Sequence, residues 1–405
     1  MDKVLILASI APMIEGFNIP NIDLLQKEGY EVHVLANFKD EHTEANERNN
    51  HFRNQLEFRG VLVFDIPINR NPFKMINYKA YKEIKQIIDH ENYAFIHCHS
   101  PIGGVLSRLA AREARKRNTK VVYTAHGFHF FKGAPMKNWL MYYSVEKWLS
   151  RYTDCLITIN EEDYHAAQNN HFKVKKVEKI NGVGINKNKF KPIDTELKNQ
   201  RRSILGYKEN DFLLIYVGEL SKRKNQQLTI DMMKKVVQLI PQAKLLLVGD
   251  GELRETYAQQ IKDLRLEKNV FLLGYRKDVD QLMSVSDIVI STSKQEGLPV
   301  NLMEAMGTGL PIIATDCRGN RDLIHHGENG YLVDLGDGEQ LASYVGILYH
   351  SSSLREAFGL KNLEYLDKYS VQSVMSQMTQ IYQSVNYTPD SSLINNKKVT
   401  KALIK

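Results

Sequence analysis

The chain has 405 residues, 43% apolar, 25% charged and 9% aromatic, and a formal charge of +7 from 54 basic and 47 acidic side chains. That length predicts two domains, and the ordinary apolar fraction excludes collagen-like, disulfide-scaffold and largely disordered chains. A charge this small for the length, spread over both halves, does not mark a nucleic-acid-binding protein.

In chain order, the N-terminal half alternates short apolar runs with amphipathic stretches. Strands are predicted at 4–8, 31–36, 61–66, 94–98, 121–124, 155–158 and 177–180, with helical periodicity at 78–89, 103–116 and 135–150. The run 4–14 has the length of a signal-peptide core. Asp2 and Glu15 flank it and no small-x-small site follows, so it is read as a buried first strand. Runs of Val, Ile and Leu without polar alternation are strands buried on both faces, as parallel sheets require. The rhythm breaks at 185–206, a polar stretch read as the junction. A second series follows, with strands at 212–217, 244–248, 270–273, 288–291, 312–315 and 331–333, and helices at 225–239, 252–264 and 301–307. The expectation is two Rossmann-like domains, 1–185 and 186–385, the last helix able to pack back on the first, and a polar tail over 386–405. No apolar stretch approaches the ~20 residues of a membrane span. Cys98, Cys155 and Cys317 form no C-x-x-C pair, which fits a reducing cytoplasm better than a zinc knuckle or disulfide framework.

Three stretches can carry chemistry. In 293–316, SKQEGLPVNLMEAMGTGLPIIATD, Gly297 loosens a turn and Pro299 suits a first helical position. A helix start behind a Gly-bearing loop presents free N–H groups and a positive dipole end, which suits a diphosphate. Glu304, about one turn inside, can accept from both hydroxyls of a ribose. Glu296 can bind hydroxyls on whatever the diphosphate carries; the alternative is a capped surface helix with solvated glutamates. In 216–225, YVGELSKRKN, Gly218 allows a tight turn and Lys222, Arg223 and Lys224 precede a helix. A cation there can neutralise a departing diphosphate, or simply face solvent. In 124–131, TAHGFHFF, His126 and Gly127 sit at a strand's C-terminal end, where open α/β sheets bind ligands, with a structural histidine as the alternative. His97 and His99 share a face of the preceding strand, without carboxylates at metal-ligand spacing. No G-x-x-x-x-G-K-[ST] and no G-x-S-x-G occurs, and no G-x-G-x-x-G follows the first strand, so P-loop, α/β-hydrolase and nicotinamide-type readings lack support.

With E-x7-E inside EGLPVNLMEAMGTGLPIIATD, GEL-x3-KN at 218–225, VGDGEL at 248–253, LGYRKDV at 273–279 and INGVGIN at 180–186, the chain resembles the glycosyltransferases of family 4, the large retaining family with the GT-B fold. The resemblance implies a crevice between the domains that holds a nucleotide sugar, a UDP-sugar by expectation, with no other cofactor and no divalent metal. It assigns Glu304 to the ribose, Glu296 to the donor sugar, the N–H groups of Leu298–Val300 (around Pro299) to the diphosphate or sugar, and Lys224 to leaving-group charge. Gly218 and Arg223 would line the donor site, Tyr275 and Arg276 edge the base, and His126 contact the sugar near the reacting carbon. Gly16, His99 and His129 would lie on the acceptor side. Two departures stand out: Glu219 occupies a position where many members carry Arg, and the segment 11–16 lacks their Gly-Gly loop.

The resemblance also implies a lipid-linked saccharide acceptor, in bacterial capsule or exopolysaccharide synthesis. The basic run Arg108, Arg112, Arg115, Lys116, Arg117 and Lys120 precedes the aromatics of 128–148, which include both tryptophans. Basic residues beside aromatics suit a peripheral protein on an anionic membrane; the alternative is aromatics in the core and a solvated helix face. The expectation is a cytoplasmic enzyme at the inner face of the plasma membrane. A soluble enzyme with a small acceptor, or a nucleotide-sugar binder without turnover, stays open.

Overall fold

The computed structural model describes residues 1–39 and 43–386, so the expected polar tail falls, from 387 onward, outside the described residues. Seven parallel strands, β1 (Lys3–Ile10), β2 (Glu31–Asn37), β3 (Leu62–Asp65), β4 (Phe95–His99), β5 (Lys120–Ala125), β6 (Cys155–Thr158) and β7 (Lys176–Lys179), form one sheet in the order β3-β2-β1-β4-β5-β6-β7. A second parallel sheet runs β10-β9-β8-β11-β12-β13, from β8 (Phe212–Val217), β9 (Ala243–Val248), β10 (Val270–Gly274), β11 (Ile288–Ser291), β12 (Ile312–Thr315) and β13 (Gly330–Val333). The central strands are buried along their length because helices cover both faces, which is why they read as unbroken apolar runs. Strand order reverses between β1 and β4 in the first sheet and between β8 and β11 in the second. Such reversals open a crevice beyond the carboxyl ends of the strands.

Three segments differ from the sequence expectation. The helix expected at 103–116 is two helices, Pro101–Ala110 and Arg112–Lys116. That expected at 135–150 passes through a π-helical stretch, Trp139–Tyr143, between Met136–Asn138 and Ser144–Leu149. The polar stretch 185–206 is not all linker, because Thr195–Ile204 is helical. Its anchors are charged. Arg202 donates to Asp287 Oδ2 at 2.7 Å and Lys198 to Asp287 Oδ1 at 2.9 Å, so no apolar stripe announces it.

The chain crosses from the first sheet to the second near 180–186 and returns near 367–371. The two crossings lie side by side, Ile185 N–H donating to Tyr369 O (2.9 Å) and Val371 N–H to Ile185 O (3.2 Å). The helix Val371–Asn386 then docks on the first sheet. The Tyr382 ring stacks on Phe95 at 5.1 Å, and its hydroxyl lies 2.8 Å from His97 Nδ1.

Much of the basic run is spent internally. Arg108 is buried, ion-paired to Glu146 at 2.7 Å and set over the Tyr123 ring; Arg115 pairs with Asp154 and Arg117 with Asp89. Phe128 and Phe130 are core. The exposed apolar side chains of this region are instead Met136, Leu140, Met141, Val145 and Trp148 on one helical stretch. Among the described residues no helix is long and apolar enough to cross a membrane.

Candidate active site

A cavity of about 560 Å³ lies between the sheets, at the carboxyl ends of β5, β8 and β11. Its second-sheet wall is built by two loops that flank the β8/β11 reversal. Lys294 N–H donates to Arg223 O (2.9 Å) and Thr292 Oγ1 to Asn225 O (2.7 Å), while the Tyr216 hydroxyl donates to Lys224 O (2.5 Å). These bonds hold the end of one loop against the start of the other. The helix Val300–Gly307 begins at this junction, tethered by Asn301 Nδ2 donating to Val217 O at 2.8 Å. Val300 and Asn301, its first two residues, line the cavity, and their N–H groups come too early in the helix to have an intrahelical acceptor. Lys224 runs across Gly218, where a Cβ would sit 3.3 Å from Lys224 Cε.

The charges are paired in an unforeseen way. Lys224 Nζ donates to Glu296 Oε1 at 2.6 Å and Arg223 Nη1 to Glu296 Oε2 at 3.0 Å. Burial by itself raises the Glu296 carboxyl, but the two cations outweigh it and hold it below its usual value. Glu304 is the opposite case. No described side chain pairs with it, and burial lifts its carboxyl from 4.5 to about 7, Lys189 opposing weakly. Two glutamates with seven residues between them are thus shifted in opposite directions in one cavity.

From the first sheet come His126, Gly127, Phe128, His129 and Phe17. Burial pushes the His126 ring down to about 4, so it is neutral at pH 7. His99 sits behind it, outside the cavity, its Nδ1 3.1 Å from His126 Nε2. His97 cannot join them as a metal ligand, because Tyr382 and Thr124 take its two ring nitrogens, each at 2.8 Å. Among the described residues no group of three or more His, Cys, Asp or Glu side chains could hold a metal ion.

The cavity therefore joins Lys224, Glu296, His126, Gly218, Arg223, Leu298, Pro299, Val300, Glu304 and His129. It does not take in Tyr275, which is exposed past the end of β10, or Arg276, which forks onto Asp278 (2.8 and 2.6 Å). Gly16 lies in the helix Ala11–Phe17, where a Cβ would meet nothing within 4 Å, so no close approach requires a glycine there. Glu219 lines the cavity and Lys222 does not. Sequence reasoning missed Arg318. Buried at the cavity's edge, it donates to Glu296 O (2.9 Å), Phe128 O (2.7 Å) and Asp163 Oδ1 (2.8 Å), joining the two halves. Gly297 permits that closeness, since a Cβ there would fall 2.0 Å from His126 O.

Two Rossmann-like halves with a cation-lined cleft between them form the GT-B architecture. Residues 198–366 match the model of the glycosyl transferases group 1, and residues 3–160 that of the glycosyl transferase 4-like proteins. The chain is 39% identical to EpsD of Bacillus subtilis, a protein assigned to the glycosyltransferases, over 382 residues, 94% of this chain and 96% of that one. It is 31% identical over 281 residues to an Escherichia coli UDP-Gal:alpha-D-GlcNAc-diphosphoundecaprenol alpha-1,3-galactosyltransferase, spanning 68% of this chain and 72% of that one. The crystal structure of Anabaena HepE in complex with UDP-glucose superposes with a TM-score of 0.75 at 22% identity, covering 95% of this chain and 100% of that one. The chain belongs to the group 1, family 4-like glycosyltransferases.

Proposed function

We propose that the protein is a retaining transferase that moves a sugar from a UDP-sugar to a polyprenyl-diphosphate-linked saccharide in capsule, exopolysaccharide or related cell-surface glycan synthesis. The observation that carries this reading is the meeting, in one interdomain cavity, of two cations, a helix start and two glutamates whose carboxyls are shifted in opposite directions. UDP-glucose in the HepE complex and the diphosphoundecaprenol acceptor of the Escherichia coli relative support the donor and acceptor classes.

In this reading Glu304, ionised on binding, accepts from the ribose hydroxyls. The N–H groups of Leu298, Val300 and Asn301 face the diphosphate, and Lys224 and Arg223 turn from Glu296 to its oxygens. Glu296 then accepts from sugar hydroxyls, while His126 borders the reacting carbon. The bond from the sugar's anomeric carbon to the diphosphate oxygen breaks as the acceptor oxygen bonds to the same face, and the acceptor's proton passes to the departing diphosphate. Negative charge grows on that diphosphate, so the fixed cations act most strongly in the transition state. No cofactor or divalent metal is required, because the chain's own cations carry this charge.

The membrane face is the stretch bearing Met136, Leu140, Met141, Val145 and Trp148, beside exposed Lys132, Lys137 and Arg151. An apolar strip rimmed by cations suits an anionic bilayer at the inner face of the plasma membrane. Thermal stabilisation by a panel of UDP- and GDP-sugars tests the donor, with UDP compounds expected to win. Proton NMR of the first product tests the stereochemistry; an inverted anomeric centre refutes the retaining reading. Full activity on a water-soluble sugar without lipid refutes the acceptor.

A further inference from the structure

Behind His126 runs a chain of hydrogen bonds whose direction is fixed from one end. The Met13 carbonyl can only accept, so Asn18 Nδ2 donates to it (3.3 Å), which leaves Asn18 Oδ1 to accept from Asn21 Nδ2 (3.2 Å). Asn21 therefore turns its oxygen the other way. That Oδ1 is buried without a hydrogen-bond partner, and so is His99 Nε2. Both residues line one void of about 10 Å³, with Phe17, Ile180 and Met378 among its walls. This is about the space one water takes. His97 also borders the void, but both of its nitrogens are already engaged. Two orphaned polar atoms on one water-sized void call for an explanation, since buried polar groups are nearly always paired.

We propose that one internal water bridges Asn21 Oδ1 and His99 Nε2, and that Asn21 and His99 are positioning residues that set the tautomer of His126. A carboxamide oxygen only accepts, so the water donates to Asn21 and completes its bonding by accepting from His99 Nε2–H. His99 Nδ1 is then bare and accepts from His126 Nε2–H across their 3.1 Å contact. His126 keeps its lone pair on Nδ1 and offers the donor sugar an acceptor rather than an N–H. Burial keeps both rings neutral near pH 7, lowering His99 well below its ordinary value and His126 to about 4, so a single tautomer can dominate. The consequence for transfer rests on the proposed function; the tautomer itself does not. Met13 lies in the segment 11–16 where the resemblance expects a glycine loop, and Asn18 and Asn21 follow directly after it, so this chain has built a fixed polar wedge there.

The test is histidine side-chain nitrogen-15 NMR on the full chain without ligand, with the His126 signals assigned through His126→Gln. Wild-type His126 is expected to show a protonated Nε2 and a bare Nδ1. Asn21→Leu keeps the side chain's size and removes the oxygen. It is expected to mix the two tautomers and to lower kcat/KM about tenfold, the scale of one hydrogen bond. A hydrogen on Nδ1 in the wild type overturns the proposal without any variant, as does an unchanged spectrum in Asn21→Leu. The expected tautomer in a protein that binds no UDP-sugar upholds it and refutes the transfer reading instead.

Discussion

Replacing Glu296 by Gln is expected to make the protein bind UDP more tightly while it transfers sugar more slowly. In the free protein Glu296 is the partner of both cations that the proposed function assigns to the diphosphate, 2.6 Å from Lys224 and 3.0 Å from Arg223. UDP must take those cations away, and it leaves a carboxylate facing a diphosphate. Two like charges about 5 Å apart at an effective dielectric of ~20 repel by about 3 kcal/mol. Half of that, after screening, is about 1.5 kcal/mol, or tenfold in affinity. The substituted carboxamide has no charge to repel the diphosphate or to hold the lysine back. The free variant should also be less stable, by about 3 kcal/mol, because Lys224 is buried and loses its counter-ion. Isothermal titration with UDP and thermal melting with and without it read both effects. The variant should melt lower alone and gain more from UDP than the wild type does, with kcat for transfer down about 10²-fold. Wild-type melting together with unchanged or weaker UDP binding refutes the partner exchange.

Other outcomes follow from the same geometry. Burial raises Glu304 in the fold from 4.5 to about 7, so the stability it contributes is full below about pH 4.5 and is lost as pH rises through 7. Glu304→Gln should remove that loss, seen as a flatter melting profile between those values. Wild-type UDP-sugar affinity should rise about tenfold per pH unit up to 7 and then level, a slope that Glu304→Gln abolishes in titrations. Lys224→Ala should lower kcat about 10²–10³-fold with a smaller change in donor KM; wild-type kinetics would remove its leaving-group role. Gly297→Ala puts a Cβ 2.0 Å from His126 O. It should separate the halves at the cavity, costing about 1–3 kcal/mol by melting and most of the donor affinity. Leu140→Glu with Trp148→Glu should abolish flotation with anionic vesicles and leave UDP binding unchanged.

The strands were legible because burial on both faces writes itself as unbroken Val, Ile and Leu; Cys155–Thr158 and Phe212–Val217 fall where the sequence places them. Polar surface helices were not. Thr195–Ile204 buries only Arg202 and is held by Asp287, 85 residues away from it, so no period marks it. Glu296 and Glu304 stood out because their spacing sits inside a turn–Pro–helix frame, and Lys224 because it follows a strand and a glycine turn and precedes a helix. Their pairing did not, since a sequence gives charges without saying which two will meet in the absence of a third. Arg318 was hidden for a similar reason, its carbonyl and carboxylate partners lying on segments 22, 190 and 155 residues away.

The two crossings between the halves have a mechanical consequence. A single tether lets one body swing and twist about another in every direction. Here Ile185 is hydrogen-bonded to Tyr369 and Val371 on the returning segment, and the returning helix is fastened to the first sheet through Tyr382. Two tethers fixed side by side behave as a door with two pins: rotation about the line through both is soft, and twisting out of plane is stiff. Opening the cleft to admit a donor and closing it again would then retrace one arc, returning His126 to the same place over Gly297 at each turnover.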